Sequence, residues 1–370
     1  MKLLPLTLAL TALILGTTAY AAPEFGKPIV GKIILNKPAT HTTPGFNYYS
    51  PPATKTIILM NLKLNTQEKQ AINSFNPETS TNNQKSVIVS TPQASLPSSI
   101  DQGMNGVPVL DQGLHGSCVT FATTAAIDAL LGKGDYISQL CSLQLGTYFE
   151  QKAYLDSGWN GSLGPIVLNQ IMGFGIINKI KQKEKSCGGL KDYPTRDSNY
   201  EGSPMNLDEF KQSSENLNEN MYWDPILTVH QRLAWGSDSA QEAKDLLLKI
   251  KTILSEKKRY SESRLIFAAL LPSTYCSVGA CGRHNAQDDT WVLTAAIKND
   301  TDAQLGGHEM IITGYDDYAT AVDNDGKTHR GLLILRNSWS EEAGDHGNYY
   351  MSYDFFKKYI FEVHKVVIEK

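Results

Sequence analysis

The sequence predicts an α+β fold. Within residues 96–370 the helical patterns come first and the strand patterns follow. The run CVTFATTAAIDALLGKG places apolar residues at Val119, Phe121, Ala122, Ala126, Ile127, Leu130 and Leu131, the spacing of a buried helix. RLIFAALL, EMIITGYDD, GLLILRNSW and VHKVVIE are instead short apolar runs that read as strands. The chain has 370 residues, 41% of them hydrophobic and 19% charged, which supports a sizeable core. Its net charge of -4, with no long basic run, argues against nucleic acid or an anionic membrane as a partner.

Residues 1–21 carry the marks of an export signal: Lys2, the apolar run LLPLTLALTALILG, and the small-x-small site Ala19–Ala21. That run is too short to span a membrane, so a secreted chain beginning near Ala22 is expected. GKPIVGKIILNK and TKTIILMNLKL then read as strands, and a polar linker covers 76–95. From Leu96 the aromatics and glycines become denser, and all the cysteines follow. The expected organisation is a β-rich segment over 22–95 and a folded domain over 96–370. Helices are also expected at PIVLNQIMGFG and SAQEAKDLLLKIKTILSEKK.

Five cysteines in an exported chain leave at least one thiol unpaired or paired between chains. Cys118 ends the Gly-rich turn DQGLHGSC and starts a helix, where the N-terminal partial charge favours a thiolate. With Cys118 set aside, Cys276 and Cys281 are close enough for a local loop, which leaves Cys141 with Cys187. A nucleophilic thiol needs a base and a group to orient it. His308 opens an apolar strand after two glycines, and Asn337 ends the next strand. If these strands pair, the amide reaches the imidazole and Trp339 shields the bond from water. Gln112, on the turn before Cys118, can join the Cys118 N–H in an oxyanion hole. His115 lies in the turn before the helix and is expected to face away; the other histidines are expected on the surface or in packing. No CxxC spacing or His/Cys cluster suggests a metal, and no cofactor is expected.

Five blocks, in order, resemble the papain-like cysteine peptidases. They are LPSSIDQGMNGVPVLDQG, QGLHGSCVTFAT, GWNGSLGPIVLNQI, GGHEMIITGYDD and LRNSWSEEAGDHGNYYMS. The resemblance implies a two-lobed fold, with a helical lobe carrying the nucleophile and a β-rich lobe carrying His and Asn. It implies Cys118 as nucleophile, His308 as base and acid, Asn337 as orienter and Gln112 in the oxyanion hole. Gly161, Ser162, Gly307 and Trp339 would border the substrate, and Gly307 with Gly164 suggests a roomy, uncharged pocket.

The sequence also departs from the family pattern. Val119 replaces the family's Trp after the nucleophile, and Ser162 and Ser340 replace glycines. His115 and Trp159 stand where the family has a disulfide, so both halves are lost together. Residues 196–240 read as an insertion, and 22–95 lack the family's helical prosegment pattern. The expected protein is a secreted, monomeric cysteine endopeptidase acting on proteins or peptides. It would be made as a zymogen with residues 22–95 as its own inhibitor. The alternatives are an inactive protein-binding relative and an acyl transferase with the same triad.

Overall fold

The computed structural model describes residues 29–38, 54–77, 96–153, 156, 158–197, 199–217, 220–236, 239–256 and 261–369. The export signal expected at 1–21 and most of the polar linker lie outside these residues. A hairpin of β1 (Ile29–Pro38) and β2 (Thr54–Leu62) comes first, followed by α1 (Thr66–Ser74). Next come β3 (Ser99–Asp101), α2 (Cys118–Leu131), α3 (Gln139–Gln151), α4 (Gly164–Phe174), α5 (Lys179–Lys185) and α6 (Leu207–Ser213). The chain continues through β4 (Met221–Leu227), α7 (Val229–Leu233), α8 (Ala240–Ser255), β5 (Ser261–Pro272), β6 (Gly282–Arg283), β7 (Thr290–Trp291) and α9 (Ala295–Asn299). It ends with β8 (Leu305–Asp323), β9 (Thr328–Arg336), β10 (Asn348–Ser352), α10 (Tyr353–Tyr359) and β11 (Ile360–Glu369). The fold is α+β; after the leading hairpin, helices α2–α6 precede most of the sheet strands.

Helix α2 is buried from Cys118 to Leu130, as its alanine-rich composition requires of a helix enclosed on all sides. It stops at Gly132, whose left-handed backbone (φ 64°) lets its N–H reach Asp128 O at 2.9 Å. One face of α2 packs on α3 and α4, and another on β5, β8 and β11. The helix is thus the seam between a helical part and a sheet.

The sheet runs β4-β11-β5-β8-β6-β7-β10-β9, and β9 pairs β8 as well, closing that end on itself. Residues Leu265–Leu271 of β5 are all buried, so this strand reads as an unbroken apolar run with no alternation. Strand β4 lies inside the segment expected as an insertion, yet it forms the edge of the sheet against β11. Pro225 falls within it, which an edge strand tolerates. The segment is therefore built partly into the sheet.

The cysteines pair as Cys141–Cys187 and Cys276–Cys281, and Cys118 is free. The 22–95 segment contributes the β1–β2 hairpin and also α1, which starts with an Asn65/Glu68 capping box.

Strand β3 can pair with β8 because Gly314 has no side chain. A Cβ there would lie 2.1 Å from Ile100 O. Gly314→Ala is expected to cost about 1–3 kcal/mol through forced displacement of β3. A urea midpoint equal to that of the parent chain would contradict this.

Candidate active site

Cys118 is the first residue of α2, fully buried, with Ser117 before it. His308 lies near the start of β8, and Asn337 follows the last residue of β9. β8 and β9 are antiparallel, with Ile311 opposite Arg336, so their ends bring His308 and Asn337 together. His308 Nε2 is 2.7 Å from Asn337 Oδ1. Ser338 N–H also donates to that oxygen at 2.7 Å, which fixes it as the acceptor. Nε2 must then carry the proton, and in a neutral ring Nδ1 is left as the basic nitrogen. Nδ1 has no hydrogen-bond partner. Trp339 stacks on the imidazole with centroids 4.3 Å apart and planes at 24°, and it is itself packed against Trp291 and Tyr349. The ring cannot swing away from Asn337 without breaking this stack.

Gln112 is fully buried and tied to the same turn. Its Nε2–H donates to His115 O at 2.9 Å, and its Oε1 accepts the Ser338 hydroxyl at 2.7 Å. One amide hydrogen remains for a ligand beside the start of α2. Sequence reasoning missed Tyr193, whose hydroxyl donates to Gln112 O at 2.9 Å and lies 2.8 Å from Ser117 Oγ. It is far from both in sequence, and no local pattern could have linked them. His115 sits on the helical side, with Nε2 3.0 Å from Pro194 O and its ring edge-on to Trp159 at 4.7 Å.

The electrostatics differ from the thiolate that a helix start favours. Backbone N–H groups of Glu309, Val119 and Cys118 face the sulfur and lower its pKa, but complete burial outweighs them and lifts it to about 12. Burial likewise lowers His308 to about 4, against a smaller upward pull from Asn337. Both groups are neutral at pH 7 in this structure.

The β1–β2 hairpin packs beside this site. Met60 and Asn61 of β2 pair with Gly307 and Gly306 of β8, directly before His308. A Cβ on Gly161 would meet Ile29 Cγ2 at 2.7 Å and Met60 Cγ at 3.0 Å. Farther along the hairpin, Lys55 Nζ lies 3.4 Å from Asp111 and 3.1 Å from Ser340 Oγ, and Lys32 donates to Leu114 O. The hairpin therefore touches both sides of the Cys118 turn. Of the expected substrate-binding residues, Gly161 and Gly307 lie directly under it, Ser162 is buried, and Trp339 packs on His308. Beyond α1, Phe75 packs on Trp235 and under Arg232, while Lys358 Nζ donates to Asn73 O and Phe75 O at 3.3 and 3.1 Å. Burial, with the charges of Arg232 and Lys298, lowers Lys358 to about 8.

Among the described residues no group of His, Cys, Asp and Glu is arranged to hold a metal, and no helix is long and apolar enough to cross a membrane.

Residues 284–370 match the Peptidase C1-like family. The match spans Gly307, His308, Asn337 and Trp339; Cys118, Gln112, Gly161 and Ser162 lie before it. No curated protein matches the sequence. Among solved structures, the chain is similar to xylellain, a cysteine protease from Xylella fastidiosa. The two share 17% identity with a TM-score of 0.44, over 75% of this chain and 87% of that one. It is also similar to the digestive procathepsin L 3 of Tenebrio molitor larval midgut, at 17% identity and a TM-score of 0.38, over 80% and 76% of the two chains. The proform of Amb a 11, a cysteine protease of ragweed pollen, aligns at 12% identity and a TM-score of 0.42, over 73% and 66%.

The buried neutral ring makes stability depend on pH. An unfolded His308 takes up its proton near pH 6.5, and the folded one near 4. Between these values the unfolded state binds more protons, so the stability is complete above pH 6.5 and is lost as pH falls through 4. The full chain is expected to lose about 3 kcal/mol from this group over that window. His308→Gln removes the titration, so the difference between urea midpoints at pH 7 and pH 4.5 should shrink. An equal difference in both chains would assign the acid loss to other groups.

Proposed function

We propose that this chain is an exported cysteine endopeptidase of papain-like type, held latent by its own residues 22–95. One observation carries the reading: a buried free thiol facing the Glu309 N–H of β8 and an Asn-oriented imidazole on the same strand lie next to where the extended β2 pairs with β8. That is the placement a peptide substrate needs, because an extended chain can satisfy its backbone groups on a strand edge while presenting a carbonyl to the thiol.

When the hairpin leaves, water reaches Cys118 and His308, and the burial that keeps both neutral is relieved. The thiol proton passes to His308 Nδ1, the basic nitrogen left by the Asn337 bond. The thiolate attacks the peptide carbonyl, and the oxyanion accepts from the Cys118 N–H and the free amide hydrogen of Gln112. The protonated ring gives its proton to the leaving amine. Water, deprotonated by the same nitrogen, then releases the acyl group from sulfur. Asn337 holds the ring in one tautomer throughout, and Trp339 keeps water from their bond.

Latency is expected in the full-length chain, with activity appearing once residues 22–95 are cut away. Added free segment should then inhibit, since it loses only its high effective concentration. Hydrolysis of an unstructured peptide by both forms is the measurement; equal rates, with the long form shown intact by mass spectrometry, would make the segment an accessory domain.

In the trimmed enzyme Cys118→Ala should abolish hydrolysis and labelling by a thiol-directed epoxide while circular dichroism stays unchanged. Gln112→Ala should lower kcat by about 10²–10³ with a smaller change in KM. A folded Cys118→Ala chain that still cuts peptide would remove the nucleophile assignment. Unchanged kcat in Gln112→Ala would mean that its amide does not face the oxyanion.

A further inference from the structure

Gly307 and Glu309 are two residues apart on β8 and share one face of the strand. Met60 is paired with Gly307, so its side chain lies on that face too. A Cβ on Gly307 would meet Met60 Cε at 2.9 Å, and one on Gly161 would meet Met60 Cγ at 3.0 Å. The Met60 side chain thus fills the gap between the Gly161 loop and the start of β8.

Beyond it, the same row of the sheet runs Glu309, Ala268, Glu362 across β8, β5 and β11. Only the methyl group of Ala268 separates the two acids. Glu362 is engaged: Oε1 accepts Gly164 N–H at 2.7 Å, at the first turn of α4, and Oε2 lies 3.1 Å from His364 Nε2. Glu309 is fully buried, and neither of its oxygens has a hydrogen-bond partner. The small cavity beside it is bordered by Phe121, Ala122 and Ala125 of α2, which offer no proton, by Ser338, whose hydroxyl is committed to Gln112, and by Asn337, whose neutral amide nitrogen is unpaired and brings no charge to the acid. Arg336 borders the same cavity, but its guanidinium is committed to Asn348 Oδ1 and Val107 O. Burial and the neighbouring Glu362 keep the Glu309 carboxyl well above the usual carboxylate range, as expected of an acid without a cation. A buried acid without a partner is unfavourable, and its retention beside a cleft asks what completes it. The glycines alone suggest an uncharged pocket; the structure places acids behind them.

We propose that Glu309, seconded by Glu362, selects substrates carrying lysine or arginine at the position that Met60 takes in this structure. Met60 is unbranched and uncharged. A lysine or arginine side chain following the same line is longer and ends in a cation, which the free Glu309 oxygens can accept as a charge-assisted pair. Met60 then acts as a filler that occupies the recess without satisfying its acid, so the hairpin holds the cleft and can still be displaced. This substrate class rests on the cysteine-peptidase reading above.

Two arms test it. In the first, the full chain carrying a protease site after Ser95 is cut, diluted, and assayed on peptide libraries scanned one position at a time with Arg, Lys, norleucine or Glu. One position should prefer Arg or Lys over norleucine by about tenfold or more, and Glu309→Gln should lower that ratio by a similar factor. Cleavage with no basic preference at any position, or a preference unchanged in both Glu309→Gln and Glu362→Gln, would overturn the proposal alone. Cleavage of no peptide at all would overturn the peptidase reading and this proposal with it. The second arm needs no turnover. In the uncut chain, Met60→Arg should slow iodoacetamide labelling of Cys118 about tenfold, and adding Glu309→Gln should restore the parent rate. Faster labelling in Met60→Arg, or no restoration in the double variant, would overturn it.

Discussion

The site depends on a short joint between two stretches of chain that lie far apart in sequence. Gln112 N–H donates to Ser338 O at 2.9 Å, and Ser340 N–H donates to Leu110 O at 3.0 Å. Asp111 and Trp339 are bridged as in an antiparallel pair, and the Ser338 hydroxyl closes the joint on the Gln112 side chain. This strip fixes the turn before α2 against the turn after β9. Slipping it by one residue would invert the side chains on one side and take Gln112 away from the thiol. Asn337 is held twice, by the end of β9 and by the joint, so the imidazole it grips has one place to sit. Geometry of this kind matters because displacement of a reacting group by about 1 Å can cost 10²-fold in rate.

Burial serves the site in two opposing ways. It gives the His308–Asn337 bond a dry setting under Trp339, where a hydrogen bond is strong. It also keeps both Cys118 and His308 uncharged. The hold is spread along the segment: strand pairing at Met60, lysine contacts at Asp111 and Leu114, and the Phe75 carbonyl on Lys358. No single contact has to be strong, because the segment is covalently tethered.

Much of this was legible in the residues. Helix α2 and strands β5, β8, β9 and β11 follow from apolar spacing, and Cys118, His308, Asn337 and Gln112 stand out through glycine punctuation and position in those elements. What could not be read depends on distant packing. Strand β4 hides behind Pro225, which breaks a strand pattern yet is harmless at an edge. Tyr193 braces Gln112 from a loop with no pattern of its own. The neutrality of Cys118 cannot be seen locally, because a helix start favours a thiolate and only complete burial by the surrounding fold reverses the sign. Glu309 reads as one polar residue in an apolar strand until β5 and β11 place Glu362 in its row.

The ring contact between His115 and Trp159 has a redox consequence. The resemblance to papain-like peptidases would put a sulfur bridge at these two positions, and here the turn is held by an aromatic edge contact and by the Gly116 N–H on Trp159 O at 2.7 Å. A thiolate three residues from a disulfide would be positioned to exchange with it. With no bridge there, the Cys118 thiol has no adjacent sulfur to exchange with. A reductant that keeps Cys118 free leaves its turn intact and can act only on the more remote pairs, Cys141–Cys187 and Cys276–Cys281.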